Sequence, residues 1–434
     1  MTGDPSSWDA SMAFRELREQ APVQQVVLPG DLLAWLITGA APARQALADP
    51  RLAHDMRRLP DPRQGFGGHR YPDDLFSAEG RHLLNSDGTD HHRLRTILAP
   101  LLSRTAAQRW KPFIARTCDE LLDDLAAAAR PDLVSDYARP LAVRVTGAIL
   151  GIPAGAQQEL SRLTLEMIRA VDPEHPTVRG RRTELFGLWA RIVGHKRRRP
   201  GDDLLTRLTL ARGQGRLSTA ELLSVAWGLF SGGISPTTTL IASGAIAIMR
   251  SPELRRALRD EATAARLTEE LLRLTSPFPA SVWRFALDDV TLDDTVIPRG
   301  AVVLVALAAA NRDPAVFPEP GTARLNRKGG HVSFGLGPHY CPGAPLARLL
   351  ATAALTALFG RFPELRLDTA ETALRRQGVL IESGYERVPV STGPTAADAV
   401  TRTGPTAAKA ATRTGPTAAM AATRTGGIVT KAAP

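Results

Sequence analysis

The amino-acid sequence predicts a mainly α-helical protein with a small β-rich lobe and a disordered C-terminal tail. Three observations carry that expectation. Residues 105–129 and 253–274 place apolar side chains at three- and four-residue spacing with charges on the opposite face, the pattern of amphipathic helices. Short β-rich runs stand at 24–27, 33–38, 289–297 and 301–305, with Pro298, Arg299 and Gly300 as a turn signal. They do not alternate regularly with helices, which argues against a doubly wound sheet. Finally, TGPTAA recurs at Thr392, Thr403 and Thr414, a period of eleven with Gly-Pro in each unit and nothing large to bury. The chain is therefore read as one domain over 1–391 and low-complexity repeats over 392–434.

Composition narrows the class of function. The chain has 434 residues and a net charge of +10, which by itself raises nucleic acid or an anionic membrane as partners. The tail from Thr392 holds five basic residues and one acid, so much of that excess lies outside the domain. The basic residues are almost all arginine, a compositional bias with little functional weight. Two cysteines, Cys118 and Cys341, cannot build a disulfide framework. No basic head followed by an apolar run opens the chain, and a cytoplasmic location is expected.

The segment from Leu222 to Met249 carries no charge and is long enough to span a bilayer. Its centre, however, holds Ser231, Gly232, Gly233, Ser235, Pro236 and three threonines. That is read as a long helix buried in a large domain, interrupted at the proline, and not as a membrane span.

The chemistry concentrates in residues 334–348, FGLGPHYCPGAPLAR. Gly335, Gly337 and Pro338 make a tight open loop, Cys341 follows, and a helix begins after it. Free backbone N–H groups and the positive end of the helix dipole favour a thiolate there, suited to axial metal ligation. A buried structural cysteine is the simpler alternative, and is the reading given to Cys118 inside its amphipathic helix. The loop resembles the haem-binding signature of the cytochrome P450 family, Phe-Gly-x-Gly-x-His/Arg-x-Cys-x-Gly, and every fixed position from Phe334 to Gly343 is met. The resemblance implies the cytochrome P450 fold, haem b (iron protoporphyrin IX) as cofactor and Cys341 as the axial iron ligand.

Further segments extend the resemblance over residues 10–391. Glu270 and Arg273, three apart and so on one helical face, match the family's Glu-x-x-Arg pair. Arg327 is expected to complete the pair as a structural lock. Asp87-Gly-Thr-Asp-His91-His-Arg-Leu-Arg95 resembles another family motif and offers His91 and Arg95 to the haem carboxylates. Arg284 and His339 are expected to join them, since buried carboxylates need cationic or hydrogen-bonding partners. The Lys196–Arg199 run is read as a solvated face. Substrate is expected between 60–85, 164–185, 229–233, 278–283 and 379–385, with Phe66, Tyr71, Phe76, Phe278 and Trp283 as candidate walls.

One departure is informative. Where the family carries an acid and an alcohol beside the oxygen site, this chain reads Gly232-Gly233-Ile234-Ser235-Pro236-Thr237. Proline also deprives Gly232 of its helical partner. Gly233, Ser235, Pro236 and Thr237 are therefore the candidate catalytic residues, with proton delivery by water, substrate, Ser235 or Thr237. The implied activity is a monooxygenase acting on a small secondary-metabolite substrate. Electrons are expected from NAD(P)H through a ferredoxin reductase and an acidic ferredoxin, and the protein is expected to be a monomer. Oxidative ring closure or cross-linking, and direct use of peroxide, are alternatives. A haem-binding sensor or recruitment protein without turnover is an alternative of another class.

Overall fold

A computed structural model of the protein describes residues 10–28, 32–61, 80–168, 175–379 and 382–393. Phe66, Tyr71, Phe76 and the repeats beyond Gly393 lie outside the described residues. The chain opens with α1 (Ala10–Gln20), β1 (Val23–Leu28), β2 (Leu32–Ile37), α2 (Ala40–Ala48) and β3 (Leu52–Ala53). Helices follow: α3 (Gly88–Leu102), α4 (Arg104–Gln108), α5 (Lys111–Ala127), α6 (Arg139–Leu150), α7 (Ala154–Ile168), α8 (Pro176–Arg198), α9 (Leu204–Gly213), α10 (Thr219–Met249), α11 (Pro252–Ala257) and α12 (Glu261–Thr275). The β-rich part holds β4 (Arg284–Ala286), β5 (Val290–Leu292), β6 (Thr295–Ile297) and β7 (Val302–Val305), then α13 (Leu307–Ala310). The chain then runs through α14 (Ala344–Arg361) to the short strands β8 (Arg366–Leu367), β9 (Arg376–Val379), β10 (Glu382–Tyr385) and β11 (Val390–Ser391).

The expected helices form, each in two pieces. The 105–129 pattern divides into α4 and α5 at Arg109–Trp110, where Pro112 sits in the first turn of α5. The 253–274 pattern divides into α11 and α12, with the Asp260 carboxylate capping the second by accepting from Thr263 N at 2.8 Å. The 289–297 run is the antiparallel pair β5–β6, turned at Asp293 and Asp294, both of positive φ. Strands β1, β2, β7, β4 and β3 make one five-stranded sheet in that order. Only β2 and β7 run parallel, with Trp35 opposite Val303.

Helix α10 is the spine of the larger lobe. A reciprocal capping box starts it: Glu221 N donates to Ser218 Oγ at 3.1 Å, and Ser218 N donates to Glu221 Oε2 at 2.7 Å. Leu222, Trp227, Phe230, Ile234, Leu240 and Ile248 are all buried, against a surround that includes α6, α12, α14 and β10. Its apolar character is thus accounted for by packing. The expected interruption at Pro236 does not occur, since the helix continues through it. Pro236 lacks the N–H that would donate to the Gly232 carbonyl one turn back, so α10 forgoes one hydrogen bond there without ending. A second expectation also needs correction. Lys196 is not solvated: its Nζ lies 2.6 Å from Asp203 Oδ2, and Asp203 Oδ1 caps α9 through Thr206 N.

Candidate active site

Positive φ at Gly335 (71°) and Gly337 (73°) folds residues 332–340 into the loop ahead of α14. A side chain at either position would be strained. Cys341 N donates to Phe334 O at 2.9 Å, closing the loop on itself. The backbone N–H groups of Gly343 and Ala344 are directed at Cys341 Sγ. Burial pushes this thiol up, against the opposing pull of those N–H groups and of Arg95. The sequence expectation, which considered only the stabilising groups, missed the desolvation. Cys118 differs: it is fully buried in α5, and burial lifts its thiol to about 11.

Phe334 is held from outside the loop. The Arg348 guanidinium lies 4.6 Å from its ring centroid. Arg348 donates to Glu269 at 2.6 and 3.0 Å and to the Tyr340 hydroxyl at 3.0 Å. His331 Nε2 stands 3.2 Å from the same carboxylate. Glu269 therefore ties α12 to α14 through the loop. Sequence reading passed over Glu269, His331 and Tyr340, because their roles depend on contacts across elements.

Cys341 and Phe334 line a cavity of about 300 Å³ that also touches α10 along Gly232, Gly233, Pro236 and Thr237. Ser235 is not among its lining residues. At about 100° per residue, Gly232, Gly233, Pro236 and Leu240 share a face from which Ser235 is turned away. Of the two hydroxyl-bearing residues expected here, only Thr237 lines the cavity. Phe278 lines it as well, whereas Trp283 does not.

The expected basic residues His91, Arg95, Arg284 and His339 all line this cavity. They meet one residue that sequence reading missed, His54, whose ring centroid lies 4.0 Å from that of His339, while His91 lies 4.1 Å from it. His339 is engaged on both sides, with Nε2 3.0 Å from Asp87 Oδ1 and Nδ1 3.2 Å from Leu83 O. Asp87 Oδ2 also accepts from the backbone of His54 and Asp55 at 2.9 and 2.8 Å. Burial would raise this carboxyl, but His339 and the two backbone donors outweigh it and hold it low.

Burial, then His339 and Arg95, lowers His91 to about 4, and its buried Nε2 has no partner among the described residues. Arg284 donates to Leu52 O at 2.9 Å and Leu47 O at 3.2 Å, which leaves its buried Nε unpartnered. Burial brings this guanidinium down to about 10 against the pull of Asp87 and Asp49. A cavity lined by the buried Arg284 and half-buried Arg95 guanidiniums, with unpartnered buried nitrogens on Arg284 and His91, calls for an anionic guest.

Away from the cavity, Glu270 accepts from Arg273 Nε and Nη2 at 2.8 Å each, from Arg327 Nε at 2.8 Å and from Arg324 N at 2.9 Å. Arg273 and Arg327 spend their remaining donors on the carbonyls of Asn311, Pro318, Glu319, Pro320 and Thr322. This stitches the segment before the Cys341 loop onto α12.

A helical fold built on α10, with a cysteine loop and a cation-lined cavity beneath it, defines a haem-thiolate type of protein. The family model for Cytochrome P450 matches residues 265–385. The chain is 34% identical over 396 residues to Cytochrome P450 107B1 of Saccharopolyspora erythraea, covering 90% of this chain and 96% of that one. It is 35% identical over 385 residues to the 6-deoxyerythronolide B hydroxylase of the same organism, covering 87% and 94%. The tirandamycin C-bound structure of the P450 monooxygenase TamI superposes with a TM-score of 0.81 at 34% identity, over 88% of this chain and 97% of that one. The protein belongs to the cytochrome P450 family; it is a P450 monooxygenase whose cofactor is haem b. The residues present fit that group: a cysteine sulfur on the cavity wall, and unpaired buried His91 Nε2 and Arg284 Nε beside Arg95 for its carboxylates.

Proposed function

We propose that the protein hydroxylates an intermediate of secondary metabolism, of the polyketide class in which a Bacillus subtilis relative, the polyketide biosynthesis cytochrome P450 PksS (30% identical over 380 residues), is named, with electrons from an acidic ferredoxin. The observation that carries this reading is a single cavity. It joins the Cys341 sulfur, the side-chain-free face of α10 at Gly232 and Gly233, and a cationic lining. Haem bound there supplies the oxygen-activating redox chemistry, with the thiolate donating electron density.

The chain's own residues set the conditions. Cys341 is the iron ligand, and the Gly343 and Ala344 N–H groups bear part of its charge. Arg95 and Arg284 would neutralise the porphyrin carboxylates and the uncharged His91 would hydrogen-bond to them, with His339 fixed among them by Asp87. Gly232, with open space where a side chain would stand, leaves room beside the helix for oxygen and substrate. Leu229, Leu240, Phe278 and Val282 line the cavity and exclude water. Ser231 and Thr237 are the hydroxyl-bearing α10 residues that line the cavity, and Ser231 Oγ is engaged with Gly228 O at 3.3 Å, which leaves Thr237 to serve the reacting side. The modest positive charge of the domain suits an acidic electron donor, fed by a ferredoxin reductase and NAD(P)H, to a monomer in the cytoplasm.

Pro236 favours a second reading. With no alcohol in its place, the oxidised substrate is free to close a ring or cross-link instead of gaining a hydroxyl. Direct peroxide use ranks below both, because Ser235 brings no cation to the cavity. The test is reconstitution with ferredoxin, its reductase and NAD(P)H on a panel of polyketide intermediates, with product mass measured. Gain of one oxygen supports hydroxylation, and loss of two hydrogens supports ring closure. No product from any substrate, despite intact haem, points to a sensor or recruitment role.

A further inference from the structure

Helix α6 packs against α10, and at their contact Gly233 has no room for a side chain. A β-carbon on Gly233 would lie 2.7 Å from Thr146 Cγ2 and 2.8 Å from Thr146 Oγ1. Both distances are shorter than any real contact, so glycine at 233 is what admits Thr146 against the helix. Thr146 is buried at 7% exposure, yet it lines the same cavity as Gly233, Pro236 and Thr237.

The hydroxyls nearby divide into two kinds. Thr238 Oγ1 donates to Ile234 O at 2.9 Å and Thr239 Oγ1 to Ser383 O at 2.7 Å, so both are spent on protein. The side-chain hydroxyls of Thr146 and Thr237, by contrast, are bonded to no protein group among the described residues, their backbones alone being taken up in α6 and α10. The same cavity wall holds the turn where Pro236 cannot donate to the Gly232 carbonyl. That stretch therefore offers two uncommitted hydroxyls and one orphaned acceptor on a wall with few other polar atoms. A water bridging such groups has the partners it needs.

We propose that Thr146 is a positioning residue for the oxidation. With Thr237 it holds a water on the α10 side of the cavity, replacing the acid and alcohol that Ser235 and Pro236 do not provide. The proposal rests on the reading above, that haem lies beneath α10.

The test uses the carbon monoxide complex of the reduced holoprotein, whose C–O stretching frequency falls when a hydrogen-bond donor approaches the bound gas. Thr146→Val removes the hydroxyl at nearly constant shape, and Thr146→Ser restores it. Gly233→Ala must displace Thr146 by contact. The expected result is a higher stretching frequency in Thr146→Val, recovery in Thr146→Ser, and a Gly233→Ala shift that does not add to that of Thr146→Val. An unchanged frequency in Thr146→Val, with the thiolate Soret band intact, overturns the proposal. Loss of the thiolate band in the unmutated protein instead removes the haem-thiolate reading on which it stands.

Discussion

Arg327 Nε donates to Glu270 Oε1 at 2.8 Å across 57 residues of sequence, and the carboxylate it meets is already held by both prongs of Arg273. Glu270 and the Arg273 side chain are 5% and 2% exposed. Removing the carboxylate would strand two arginines in the interior, whereas the intact trio is satisfied on every side. Glu270→Ala is expected to cost about 3–5 kcal/mol, read by urea unfolding, and to lower haem content on purification. Stability within about 1 kcal/mol of the unmutated protein would remove the structural role assigned to the trio.

The neighbouring carboxylate controls acid sensitivity. Burial raises Glu269, but His331 and Arg348 outweigh it and bring it to about 2, against an unperturbed 4.5. A carboxyl held low when folded gives stability that is present above the unfolded value and is lost as pH falls towards the folded one. Stability should therefore decline from about pH 4.5 towards about pH 2, and Glu269→Gln should flatten that part of the curve. Parallel curves for the two proteins between these limits would contradict the account.

Pro236 is a local cost within α10, since Gly232 O lacks its partner. Pro236→Ala should restore the bond and stabilise the protein by up to about 3 kcal/mol, measured by thermal or urea unfolding. No gain would mean that the carbonyl is already satisfied.

Ser235 and Pro236 should respond differently to restoration. Pro236→Thr places a hydroxyl on the cavity face and should change the ratio of product formed to NAD(P)H consumed. Ser235→Glu, off that face, should change it less. Equal effects would place Ser235 in the cavity after all.

Arg284 meets the haem carboxylates in this account. Arg284→Leu should speed haem transfer to apomyoglobin about 10-fold or more, the worth of one charge-assisted hydrogen bond. A rate equal to that of the unmutated protein would exclude the contact.

Much of this was legible in sequence where the signal is local. The Cys341 loop, the amphipathic helices and the charge-free helix each show their pattern within one segment. The Glu270–Arg273 spacing did so as well. The misreadings share a different cause. The side of α10 that faces the cavity was not fixed by motif register, so Ser235 was taken for a cavity residue. The engagement of His339 by Asp87 joins residues 252 apart in sequence. His54 and Thr146 carry no local signature, because each becomes notable only through what packs on it. Desolvation of Cys341 is likewise a property of the folded cavity, although the N–H groups that oppose it could be read from the start of a helix.

The most direct measurement is the absorption spectrum of the reduced carbon monoxide complex, taken on the unmutated protein and on Cys341→Ala. The account predicts the red-shifted Soret band of a thiolate-ligated haem in the first and its absence in the second. A complex without that band in the unmutated protein, or one that keeps it in Cys341→Ala, would contradict it.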